Sequence, residues 1–97
     1  MKNNATGGVS IKQLKQNRIS AFNLNIKGVE KADNSKFKEA VECFDRAIEL
    51  APLESLGYFN RATVMMQIGN FISARLDFDS ALKYRIINLS LDNLVLN

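Results

Sequence analysis

The sequence predicts an all-α chain, and three observations carry that prediction. A shift of 34 residues superimposes Phe37 on Phe71, Ala40 on Ala74, Phe44 on Phe78, Asp45 on Asp79 and Ala47 on Ala81. A shared offset of this kind marks a repeated unit. In each copy the Ala, Phe and Ala fall at spacings of four and three, which puts them on one stripe of a helix. Only one proline and five glycines interrupt the chain, too few for the many turns of an all-β design.

The first helix is expected over about residues 10–33, after a polar segment, residues 1–9, that is expected to be disordered. Ser10 can cap it, and Ile11, Leu14 and Phe22 recur at helical spacing while Lys12, Lys15 and Arg18 fall largely elsewhere. This predicts an N-terminal helical extension with one packed stripe. The alternative, a basic amphipathic surface for membrane or nucleic acid, rests on too few cations for more than a weak, salt-sensitive attraction. Asp33, Asn34 and Ser35 tolerate capping and left-handed conformations, so they close this helix.

A second helix is expected over about 36–50, ended by Pro52, and a third over about 54–67. Gly69 and Asn70 then turn the chain into a fourth, over about 71–86. In copy one, Ala40 and Ala47 allow a neighbouring helix to come close, and the Phe44 ring fills the groove between the two. Leu24 meets Tyr58 and Gly28 meets Ala62 at the same offset, each pair compatible in size. The tail holds Ile86, Ile87, Leu89, Leu91, Leu94, Val95 and Leu96, more apolar surface than water tolerates. Two outcomes are open: a short capping helix that folds back from near Ser90, or burial against a second copy of the chain.

These positions resemble two consecutive tetratricopeptide repeats. Leu24, Gly28, Ala40, Phe44, Ala47 and Pro52 meet the family spacing in copy one, and Tyr58, Ala62, Ala74, Phe78 and Ala81 meet it in copy two. All of these except Pro52, together with Phe37 and Phe71, form the expected repeat core. Copy one departs by carrying Lys31 where a large apolar residue is usual, and copy two by carrying Ile86 in place of the proline. The resemblance implies an alpha-alpha superhelix of two helix hairpins with a short C-terminal capping helix. It divides a single domain, residues 10–97, into a repeat at about 21–54, a second at about 55–88 and a cap at about 89–97.

The resemblance also implies a concave groove, lined by the first helix of each hairpin, that holds a peptide or amphipathic helix of another protein. Its lining would be Phe22, Asn25, Val29 and Ala32 from the first helix, with Phe59, Asn60, Thr63, Met66 and Gln67 from the third. This lining is mostly apolar with a few amides, so the expected partner offers leucine-like or aromatic side chains. Tyr58, Phe59, Asn60 and Arg61 are distantly similar to co-chaperone domains that clamp a C-terminal carboxylate, and Asn60 stands at a clamp position. Asn25 and Val29 replace that clamp's first lysine and asparagine, which removes the charge-assisted part of carboxylate capture.

No enzyme is expected. The chain has no histidine, the commonest general base and metal ligand, and Cys43 stands alone, without a partner for a disulfide or a thiolate metal site. Because its counterpart in copy two is Asp77, Cys43 is expected to face solvent. Glu39, Glu42, Asp45 and Glu49 are read as pairing with Lys38 and Arg46 along their own helix. No metal or cofactor is implied, and a charge of +3 is too small to indicate nucleic acid. The opening residues lack the apolar core of a secretory signal and no apolar run reaches membrane-spanning length, so a cytoplasmic protein with no membrane insertion is expected. The expected role is a protein-interaction adaptor, with chaperone or assembly factors among its settings. The competing role is a structural module that self-associates through the apolar tail.

Overall fold

A computed structural model describes residues 8–96, with side chains through Asn93. Of the segment expected to be disordered, residues 1–7 lie outside the described residues, as do the side chains of Leu94, Val95 and Leu96. Four helices follow in order: α1 (Ile11–Asp33), α2 (Phe37–Leu50), α3 (Ser55–Gln67) and α4 (Phe71–Leu96). There is no strand among the described residues. α1 packs on α2 and α3 on α4 as two hairpins, while α3 also lies against α1 and α2. The all-α prediction and the repeated hairpin are both realised.

Local chemistry sets the ends of the helices. The Ser10 hydroxyl accepts the Gln13 backbone N–H at 3.0 Å and so caps α1. At the other end the Ser35 N–H donates to the Ala32 carbonyl at 2.9 Å and the Lys36 N–H to that of Lys31 at 2.8 Å. The same pair of bonds recurs in copy two, from Gly69 to Met66 at 3.1 Å and from Asn70 to Met65 at 2.8 Å. Both are Schellman closures, and each needs one left-handed residue. Ser35 (φ 60°) takes that role in the first and Gly69 (φ 85°) in the second. The Asn70 carbonyl oxygen of the side chain then accepts the Ser73 N–H at 3.2 Å and caps α4.

The core sits between the helices, as the alanine and phenylalanine stripe requires. Ala40 and Phe44 of α2 meet Val64 of α3, and Ala21 of α1 meets Ala47 and Ala51, with Leu24 and Leu50 packed alongside. Gly28 is buried because the Phe44 ring lies directly over it: a Cβ there would come within 2.8 Å of the ring Cδ1 and Cζ and closer still to Cε1. Ala62, Ala74 and Ala81 are buried in the second hairpin. Leu24, Phe37, Tyr58 and Phe78 are half-buried.

Four expectations are corrected. Phe71 was expected in the core but is 62% exposed. Its counterpart Phe37 packs against the Ala40, Phe44 and Val64 cluster, to which the following helix contributes Val64, whereas no helix among the described residues covers that side of α4. The separate capping helix does not form, since α4 runs unbroken through Ser90 to Leu96. Copy one has Pro52 at the position where copy two has Ile86, and without a proline or glycine nothing stops the helix. The apolar residues of the N-terminal extension are also not buried: Ile11 and Leu14 are exposed, because they border an open cleft beside Leu50, Ala51, Pro52 and Leu53 that nothing among the described residues fills. Finally, Cys43 is buried rather than solvent-facing.

Candidate partner-binding site

α1 and α3 are neighbours, and each turns an apolar row outward. On α1 the exposed residues Ile19, Phe22, Ile26 and Val29 follow one another at helical spacing, and on α3 Leu56, Phe59 and Met66 do the same with Thr63 between them. Spacings of three and four keep each row on one side of its helix. Gln67 is exposed at the end of the second row. The Thr63 hydroxyl donates to the Phe59 carbonyl at 2.9 Å, so the one polar group in the row is satisfied by its own helix.

Two residues expected in the lining are instead part of the scaffold beneath it. Asn25 is buried, its amide donating to the Ala21 carbonyl at 3.1 Å, and its oxygen accepts the Asn60 amide at 3.0 Å. This amide pair joins α1 to α3 and fixes the separation of the two rows. Ala32 packs against the Ala40, Phe44 and Val64 cluster. Of the expected lining residues, Phe22, Val29, Phe59, Thr63, Met66 and Gln67 are open to solvent, and Asn60 is half-buried.

The two aromatic anchors occupy different recesses. Phe22 borders a shallow cleft with Lys15, Arg18, Ile19 and Glu54, where Arg18 and Glu54 lie 3.5 Å apart. Phe59 sits edge-on to Phe78, ring centres 5.7 Å apart, in a cleft of about 400 Å³ completed by Ser55, Leu56, Ala81, Leu82 and Arg85. Phe78 was assigned to the repeat core alone and here also forms a wall of this cleft. Ile19, Ile26 and Leu56 were missed as exposed neighbours of the expected site, although their spacing from Phe22, Val29 and Phe59 was visible in the sequence.

Charge is handled on the opposite side of α3. Arg61 donates from Nε and Nη2 to the two oxygens of Asp77, each at 2.8 Å, and from Nη1 to Asp45 at 2.8 Å. The hydrogen bonds that Arg61 donates to Asp77 hold the guanidinium pKa above its ordinary value, with the one it donates to Asp45 adding to the effect against the opposing cost of burial. Arg61 is therefore committed to the frame and does not reach into the groove. Asp45 pairs across helices, not with Arg46 or Lys38, and Glu39 likewise pairs with Lys31 of α1 at 3.0 Å. Asp77 and Cys43 share one repeat position, and Lys27 stands where copy two has Arg61. That position faces the other helix of its own hairpin, so both residues are buried, one with a cation partner and one as a small apolar group.

Among the described residues, no three His, Cys, Asp or Glu side chains gather to hold a metal ion, and no helix is long and apolar enough to cross a membrane. The Tyr58 hydroxyl donates to the Pro52 carbonyl at 2.8 Å, and burial pushes its pKa up. That tyrosine ties α3 to the turn before it.

Known proteins add one comparison. Over 58 residues, 60% of this chain, the sequence is 43% identical to Tetratricopeptide repeat protein 36 homolog of Nematostella vectensis. It is similar to a protein named for tetratricopeptide repeats. The chain spans about a third of the length of that curated relative, 32%. No protein-family model matches the chain, and no solved structure matches it.

Proposed function

We propose that this chain is a tetratricopeptide-type interaction module that holds an apolar segment of another protein across α1 and α3. The observation that carries this reading is the pair of exposed rows, Ile19, Phe22, Ile26 and Val29 beside Leu56, Phe59 and Met66, on helices fixed by the Asn25–Asn60 amide pair. A surface already held in shape loses little conformational entropy when a guest binds. An amphipathic helix with leucine or phenylalanine along one face matches two parallel rows better than a charged peptide would.

A carboxylate clamp is less well supported. Asn60 spends its amide on Asn25 and Arg61 spends its guanidinium on two carboxylates, so neither donor is free for a ligand's terminus. The similarity to a relative named for tetratricopeptide repeats supports a role in protein recognition rather than in catalysis. A cytoplasmic setting remains part of the proposal.

The test is a panel of amphipathic peptides, with leucine or phenylalanine on one face, titrated calorimetrically against the wild-type chain and Phe22→Ala and Phe59→Ala variants. Each truncation should weaken the best peptide by about tenfold, the loss of an aromatic anchor worth roughly 1–2 kcal/mol. Equal affinity for all three proteins, or binding only by peptides with a free C-terminal carboxylate, would refute the reading.

A further inference from the structure

The turn between α2 and α3 is pinned on three successive residues. The Ala51 carbonyl accepts the Glu54 N–H at 3.1 Å, the Pro52 carbonyl the Tyr58 hydroxyl at 2.8 Å and the Leu53 carbonyl the Asn88 side-chain amide at 3.2 Å. With these carbonyls engaged, what the turn offers a guest is mainly the exposed side chains of Pro52 and Leu53. Together with Ile11 and Leu14 of α1 they border a cleft of about 380 Å³. One wall is thus α1 and the other is the junction between the two repeats. Because the turn is held, the recess exists before a guest arrives, which limits the ordering cost of binding.

This cleft adjoins the one that Phe22 borders. Lys15, Arg18 and Glu54 line both, so a charged divide separates two apolar recesses. Arg18 is matched by Glu54 at 3.5 Å, whereas Lys15 and the exposed Lys12 one turn before it have no ion-pair partner among the described residues. A guest residue over the divide therefore meets net positive charge, which favours a carboxylate there and repels a lysine.

The spacing along α1 fixes the spacing in the guest. Ile11 and Ile19, like Leu14 and Phe22, are eight residues apart, about 12 Å along the helix axis. Lys15 stands midway. A guest helix lying along α1 spans that distance in about two turns, so its two anchors fall near i and i+7 with the residue between them at i+3 or i+4, all on one face.

We propose that the guest of the α1 and α3 groove continues over the α2–α3 turn, and that it is an amphipathic helix with an acidic residue between two leucine-like anchors. One anchor enters the recess of Ile11, Leu14, Pro52 and Leu53, the other enters the recess of Ile19 and Phe22, and the carboxylate meets Lys15. This inference rests on the proposed groove and specifies what that groove selects. Residues 1–7 hold a single large apolar side chain, Met1, too little to supply two anchors from this chain's own start.

Calorimetric titration of the 97-residue chain with C-terminally amidated helical peptides tests it, because amidation leaves only side-chain carboxylates. The reference peptide carries leucine at its first, eighth and eleventh positions and glutamate at its fifth. Lysine in place of that glutamate should weaken binding at least about tenfold, and Lys15→Glu should reverse the preference. Leu14→Gln should weaken the reference peptide about tenfold and leave a peptide with alanine at the first position unaffected, with helicity by circular dichroism unchanged in both variants. Peptides that lose affinity in Phe22→Ala and Phe59→Ala but ignore Lys15→Glu and Leu14→Gln would overturn this inference and leave the groove standing. No binding by any peptide would overturn both. A chain that dimerises through Leu14 at the same concentrations, or a reference peptide that binds only after residues 1–7 are deleted, would assign the recess to a different occupant and overturn the inference as well.

Discussion

Arg61 grips Asp77 through two parallel hydrogen bonds, Nε to Oδ2 and Nη2 to Oδ1, both 2.8 Å long. The carboxylate side chain is only 11% exposed, so the charge of Asp77 is tolerated in the hairpin because this cation meets it. A third bond to Asp45 carries the link from α4 through α3 to α2. One side chain thereby couples three helices.

Removing the cation should therefore cost more than an ordinary surface pair. Arg61→Met leaves Asp77 buried without compensation and should lower stability by about 3 kcal/mol. Arg61→Met with Asp77→Leu should recover a large part of that loss, since an apolar pair of similar size avoids the unpaired charge. Urea denaturation of the single and double variants checks both values. A double variant no more stable than the single one would show that Asp77 does not need its partner.

The close approach of α1 to α2 depends on Gly28. A Cβ at that position meets the Phe44 ring at 2.8 Å or less, which forces either the ring or the helix to move. Gly28→Ala should destabilise the chain by about 1–3 kcal/mol, the usual cost of overpacking, even though alanine is the better helix former. Thermal unfolding by circular dichroism tests this, and a gain in stability would mean that the ring shifts freely.

Ser35 and Gly69 occupy equivalent turns with positive φ, so substitutions there should have opposite signs. Ser35→Gly relieves a left-handed conformation that disfavours a side chain, and should raise stability by about 0.5–1 kcal/mol. Gly69→Ala should lower it by about 1 kcal/mol, although no atom lies near its added methyl. Equal effects of the two changes in thermal melts would refute this reading of the turns.

Acid should release one of the ties between α1 and α2. The hydrogen bond from Lys31, followed by its charge, holds the Glu39 carboxyl below its ordinary range. A carboxylate with a depressed folded-state pKa contributes stability above its unfolded value, and that contribution is lost as pH falls through the folded value. Glu39→Gln should thus melt slightly below wild type at pH 6 and together with it at roughly pH 3. A melting difference that persists at the lower pH would assign the effect to packing instead.

The sequence by itself determined the hairpin and its repetition. Ala40, Phe44 and Ala47, repeated as Ala74, Phe78 and Ala81, state the helical stripe, the close approach and the ring that fills it, because those properties follow from residue size and spacing. The turns at Asn34–Ser35 and Gly69–Asn70 were legible for the same reason, since left-handed tolerance belongs to the local chain. Exposed rows on α1 and α3 were partly legible: the spacing of Phe22 with Val29 and of Phe59 with Met66 was readable, while Ile19, Ile26 and Leu56 followed from the same rule and were missed.

Tertiary structure alone decided which positions have a neighbour. Phe37 and Phe71 are the same residue at the same repeat position, yet among the described residues only the first has a following helix that contributes to the cluster it packs against. Cys43 and Asp77 are unlike in polarity and equally buried, because the partner helix brings Arg61 to one and not to the other. Asn25 and Asn60 are 35 positions apart in the chain and satisfy each other. Burial and hydrogen bonding depend on what a second segment places at a point in space, and a periodic sequence specifies the face of a helix without specifying what comes to cover it.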